Sequence, residues 1–153
     1  MRKLIVAATA AILCSTAIAL ADTVGPNEVK IVDAAVEGSL SGQAGDAAAG
    51  RDIMINRKLG NCLACHQNSE IPEQPFHGEV GPPLDGVADR WSEGELRAIL
   101  VDVKTAMNPD SIMPSFYSLN LGVRVAESFA GKTILQAQQV EDVLAYLMTL
   151  KEE

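Results

Sequence analysis

Apolar positions along the chain fall into three helix-like stripes separated by long stretches without period. Val140, Val143, Leu144, Leu147 and Leu150 mark one face of a C-terminal helix, with Glu141, Asp142 and Lys151 expected to face water. Leu96, Ile99, Leu100 and Val103 mark a second stripe, opened by Ser92 and Glu95 in the spacing of a capping box and stopped before Pro109. A further helix is expected earlier, from the N-cap candidate Asp46 through Ile53 and Met54 to a stop at Gly60. No alternating run predicts a strand ladder and no repeat is visible, so the fold class is all-α.

Between these helices lie two irregular stretches. Residues 68–86 contain Pro72, Pro75, Pro82 and Pro83 and cannot be helical, and residues 108–132 carry no period. So much loop between short helices is unusual for one small domain unless a buried cofactor fills the core. With aromatic residues at only 4%, few large side chains could fill it instead.

The N-terminal end has a different composition. Arg2 and Lys3, an apolar run over residues 4–20, and Ala19-Leu20-Ala21 before Asp22 have the layout of a cleaved secretory signal, residues 1–21. The run is short for a bilayer span, so no membrane anchor is expected and the mature chain is placed in the periplasm. Cys14 follows Leu13, where lipoprotein processing needs a small residue, and is expected to leave with the signal. Residues 22–45 are rich in Gly, Ser and Ala with one apolar run at 29–36, and are read as an extension that lies across a partner subunit or forms a loose tail. Residues 46–153 form the one folded domain.

Loss of Arg2 and Lys3 takes Lys+Arg from 12 to 10 against 20 Asp+Glu, moving the formal charge from -8 to about -10. Such acidity excludes nucleic acid as a natural partner.

Of three cysteines, Cys62 and Cys65 remain after export, and Cys62-Leu63-Ala64-Cys65-His66 is the C-x-x-C-H haem-attachment motif. On a helical turn the two sulfurs point the same way and can add to the two vinyl groups of one porphyrin, while His66 is directed under the iron. A disulfide, a thiol redox pair and half a zinc site use the same cysteine spacing. Zinc would need two more ligands, yet His77 is the only other histidine, and a thioredoxin-like pair would need a βαβ context. Candidates for a sixth iron ligand are Met54, Met107, Met113, Met148 and His77. Met113 is preferred, because Pro114 holds the backbone extended in an irregular segment that can cover a haem face. His77 is read as a solvent-facing loop residue. Gly81-Pro82-Pro83-Leu84 is a rigid loop suited to presenting a carbonyl to the other ring nitrogen of His66.

In order and spacing, Cys62-x-x-Cys65-His66, Gly81-Pro82, Leu84, Met113-Pro114 and the stretch Val140-Glu141-Asp142-Val143-Leu144-Ala145-Tyr146-Leu147 resemble class I cytochromes c. The resemblance implies one covalent haem c, Pro82 as acceptor for His66, helices crossing near Gly50 and Tyr146, and Arg90 or Trp91 beside a haem propionate. Ser39-Leu40-Ser41-Gly42 before Gly45-Asp46, the run from Asn108 to Pro114, and Arg124-Val125-Ala126 through Gly131-Lys132 into Leu135 resemble one subfamily more closely, the SoxX subunits of SoxAX complexes. That likeness implies an electron-accepting subunit paired with a SoxA-like haem protein that carries the catalytic cysteine. A SoxYZ-like carrier protein would present the cysteine to which thiosulfate is joined, and a small cytochrome c would take the electrons. The alternatives are a freely diffusing electron carrier and a ligand-binding haem with a labile Met113.

Overall fold

The computed structural model describes residues 23–152; the signal-peptide stretch with Cys14, Asp22 and Glu153 lie outside the described residues. Four helices follow in order, α1 (Ala47–Ile55), α2 (Val87–Arg90), α3 (Glu93–Ala106) and α4 (Ala137–Leu147), with 3-10 turns at Cys62–Ala64 and Glu127–Phe129. The one β-feature among the described residues is an isolated antiparallel bridge between Val32 and Ala35. No helix among them is long and apolar enough to cross a membrane.

Local chemistry sets the helix starts. Asp46 caps α1 by accepting from Ala48 N–H (2.8 Å) and Ala49 N–H (3.2 Å), and Ser92 and Glu95 form the expected capping box on α3. α1 ends at Ile55, short of Gly60; the Gly60 N–H returns instead to Ile53 O at 3.2 Å and closes the turn that leads to the cysteines. α3 carries a kink at Asp102, where φ and ψ are -159° and 85°.

α1 and α4 cross backbone to backbone. A Cβ built on Gly50 would lie 1.9 Å from Asp142 O, and one on Gly45 2.0 Å from Glu141 O, so only glycine permits this approach. The crossing therefore centres on Asp142 and Val143, a turn earlier than Tyr146.

Two expectations need correction. Glu141 and Asp142 do not face water: they are 4% and 8% exposed. Nor does the segment 23–45 reach outward, because Val36 and Leu40 enter the chain's own core. Its backbone is bound by Val24 N–H to Leu40 O (2.8 Å), Val36 N–H to Gly94 O (3.0 Å) and Tyr117 Oη–H to Val24 O (2.7 Å). Leu40 N–H donates to Glu141 Oε1 at 2.8 Å, and Arg97 donates to Val36 O at 3.0 Å and to Glu141 Oε1 at 3.0 Å. Covered by this strap, the polar face of α4 becomes interior, and its carboxylates find buried partners.

Candidate functional site

Cys62, Cys65 and His66 share one tight turn. Asn61 precedes it in the left-handed conformation (φ 49°), which Asn tolerates, and the N–H groups of Cys65 and His66 both bond to Cys62 O, at 3.1 and 3.0 Å. Both cysteines are free, so the disulfide reading is not realised. Burial pushes the Cys62 thiol up to about 12, the reverse of the lowered value that an attacking thiol needs. Among the described residues no group of three or more His, Cys, Asp or Glu side chains is placed to hold a metal ion by itself.

A ribbon of backbone runs along this turn. Gly78 N–H donates to Leu63 O (2.8 Å), Gly81 N–H to Cys65 O (2.7 Å) and Leu84 N–H to Gln67 O (2.9 Å). The imidazole of His66 rests on Gly81, where a Cβ would come within 2.4 Å of Cε1. Nδ1 of His66 lies 2.7 Å from Pro82 O. A carbonyl can only accept, so Nδ1 carries the proton and Nε2 keeps its lone pair for a metal. Gly78, which the sequence reading passed over, is as tightly placed, since a Cβ there would lie 2.2 Å from Ala64 O.

Arg90 braces the same loop, donating to Pro83 O (2.7 Å) and Asp85 O (2.5 Å). Asp85 in turn accepts from the Ser69 hydroxyl (2.5 Å) and N–H (2.9 Å). Trp91 caps α2, half-buried against the core.

His77 is half-buried, not solvent-facing. Its Nδ1 accepts from Asn68 N–H and its Nε2–H donates to Ile71 O, both at 3.2 Å, so neither nitrogen is left for iron. Asn68 is fully buried and reaches Tyr146 Oη at 3.2 Å, tying the segment after His66 to α4.

The methionines separate clearly. Met54 is 1% exposed in the core, Met107 is 46% exposed at the end of α3, and Met148 packs at the end of α4. Met113 is half-buried in a loop, with its carbonyl held by Lys104 Nζ at 2.8 Å. Phe76, Val80 and Ile112 stand 64%, 65% and 78% exposed within two residues of Gly78, Gly81 and Met113. A free Nε2, two unpaired cysteines and exposed apolar side chains suit a large, flat, apolar, iron-bearing cofactor. Open clefts of about 570 and 790 Å³ lie elsewhere, under the strap and beside Tyr146.

Residues 47–151 match the Cytochrome c family, and the chain belongs to it. It is a class I c-type cytochrome with covalently bound haem c. More particularly, it resembles SoxX: a chain of the crystal structure of SoxXA from P. pantotrophus is 44% identical, with a TM-score of 0.79. The match covers 86% of this chain and 100% of that one. No curated relative matches the sequence.

Proposed function

We propose that this chain is the electron-accepting subunit of a SoxAX-like complex that joins thiosulfate oxidatively to a cysteine of a SoxYZ-like carrier protein. It passes the electrons to a small cytochrome c. The observation that carries this reading is the 44% identity over the whole of a SoxXA chain.

Cys62 and Cys65 would hold the haem through thioethers, and His66 Nε2 and the Met113 sulfur would be its axial ligands. The bound haem supplies one-electron redox chemistry. The protein's own part is positional and electrostatic. Pro82 fixes the His66 tautomer, Gly81 sets the ring plane, and a soft thioether from Met113 favours the reduced iron. Because Arg90 is committed to two carbonyls, Trp91 is the remaining neighbour for a propionate.

After loss of residues 1–21 in export to the periplasm, both remaining cysteines are bound to haem in this reading. No thiol is left for sulfur chemistry, so the thiosulfotransferase cysteine belongs to a SoxA-like partner in a heterodimer.

The test is to tag the C-terminus in the native host, isolate the protein gently and weigh what accompanies it. A second haem protein with a free or persulfidated cysteine is expected. A lone monomer with its haem intact would replace this reading with a diffusing carrier.

A further inference from the structure

The kink in α3 sits where the Met113 loop is mounted. At Asp102 the backbone becomes extended inside the helix, with φ -159° and ψ 85°. Such a break tilts the preceding carbonyls off the helix axis, where outside donors can reach them. Leu100 O accepts from Phe116 N–H at 3.0 Å and Val101 O from Tyr117 N–H at 3.2 Å. The Asp102 carboxylate then acts as a cap for the last turn, Oδ1 accepting from Thr105 N–H (3.4 Å) and Oδ2 from Thr105 Oγ1 (3.0 Å). The same Oδ1 accepts from the Ser115 hydroxyl at 2.7 Å, and Lys104 Nζ donates to Met113 O at 2.8 Å. Every residue from 113 to 117 except Pro114 is thus tied to the segment 100–104. Ser115, Phe116 and Tyr117 are buried, at 2%, 4% and 5% exposure, while the Asp102 carboxylate that Ser115 meets is half-buried and its bonds to Thr105 lie at the surface.

We propose that Asp102 is a positioning residue for the axial methionine: its carboxylate holds the break in α3 and fastens Ser115 to it. This keeps Met113 where it serves as a ligand. The inference rests on the assignment of Met113 given above. A role in fold stability alone would leave ligand exchange at the iron untouched. A positioning role would not, because an outside ligand binds only the population in which the methionine has moved away.

The test measures cyanide affinity of the oxidised holoprotein beside its melting temperature. Asp102→Ala is expected to retain its covalent haem and to raise cyanide affinity about tenfold, the scale of losing a hydrogen bond to a charged group. Asp102→Asn keeps an oxygen for Ser115 and is expected to restore most of the wild-type value. Ser92→Ala removes the cap at the far end of α3 and is expected to lower the melting temperature without changing cyanide affinity. Unchanged cyanide affinity in Asp102→Ala, or an equal rise in Ser92→Ala, would overturn the proposal. Should Asp102→Ala fail to mature, Ser115→Ala decides the matter: a smaller rise supports positioning and no rise defeats it. Met113→Ala separates the two levels, because wild-type cyanide affinity in that variant removes Met113 from the iron, whatever Asp102 does.

Discussion

Arg97 and Glu141 are paired in the interior with side chains 5% and 4% exposed, and Glu141 also receives the Leu40 N–H. Glu141→Ala strips a buried guanidinium of its main partner and leaves a strap donor unmatched. The expected loss is about 3–5 kcal/mol, read from denaturant midpoints, whereas Glu141→Gln keeps an acceptor for Leu40 and is expected to lose less. Nothing local in the sequence announces this pair. Glu141 lies on the polar side of a clean apolar stripe, and the residues that cover it come from a hundred positions earlier. The half-burial of His77 is hidden from sequence for the same reason: its partners are backbone groups of Asn68 and Ile71, which carry no residue-type signature. The turn that gathers the cysteines and His66 was legible because the haem-attachment motif keeps them within one turn, whereas Pro82 as the partner of His66 was implied by the resemblance and not by the loop residues alone. A milder effect concerns Asp85. Burial works against its carboxylate, but the Ser69 hydroxyl and N–H outweigh it and hold it below the ordinary range. A lowered folded value adds stability that is full above the unfolded value of about 4 and is lost as pH falls through the folded one. Asp85→Asn is therefore expected to melt below wild type at neutral pH and to converge with it in acid. A difference in melting temperature that stays constant with pH would contradict this.

At the scale of elements, the α1–α4 crossing depends on close backbone approach. A methyl group at Gly50 would meet the Asp142 carbonyl at 1.9 Å and Val143 N at 2.9 Å, and neither can turn aside as a side chain would. Gly50→Ala is expected to cost about 3 kcal/mol by calorimetry or denaturant titration. Gly38 is the contrast, since a Cβ there meets nothing within 4 Å and only its φ of +81° resists substitution. Gly38→Ala is expected to cost about 1 kcal/mol. Equal losses at the two positions would show that the crossing tolerates separation. Capping residues made the starts of α1 and α3 readable, because a cap is a local hydrogen bond between neighbours. The kink at Asp102 was not readable, since the apolar stripe from Leu96 to Val103 passes it without a gap. α2, four residues long, is too short to show any period.

The whole molecule closes its two sides differently. On the strap side, polypeptide covers polypeptide: Val36 and Leu40 complete the core over α3 and α4, and the buried ion pair is satisfied within the chain. Around the Cys-His turn the covering is loop, with Phe76, Val80 and Ile112 exposed beside it. The helices are 9, 4, 14 and 11 residues long, lengths at which an isolated helix is marginal and tertiary burial must supply the stability. The strap cannot supply it on the haem side. Haem c must therefore contribute apolar area that the loops do not, and folding should be linked to its attachment. Protein with its signal replaced, produced where the attachment machinery is missing, is expected to lack a cooperative thermal transition, while the holoprotein melts sharply. Hydrogen exchange adds the regional reading. Amides of Val36 and Leu40 are expected to keep more protection in the apoprotein than those of Gly78, Gly81 and Leu84, which line the Cys-His turn. A sharp apoprotein transition with Gly81 as protected as Leu40 would mean that the strap and the α1–α4 crossing suffice to fold the chain, and that the cofactor enters a finished site.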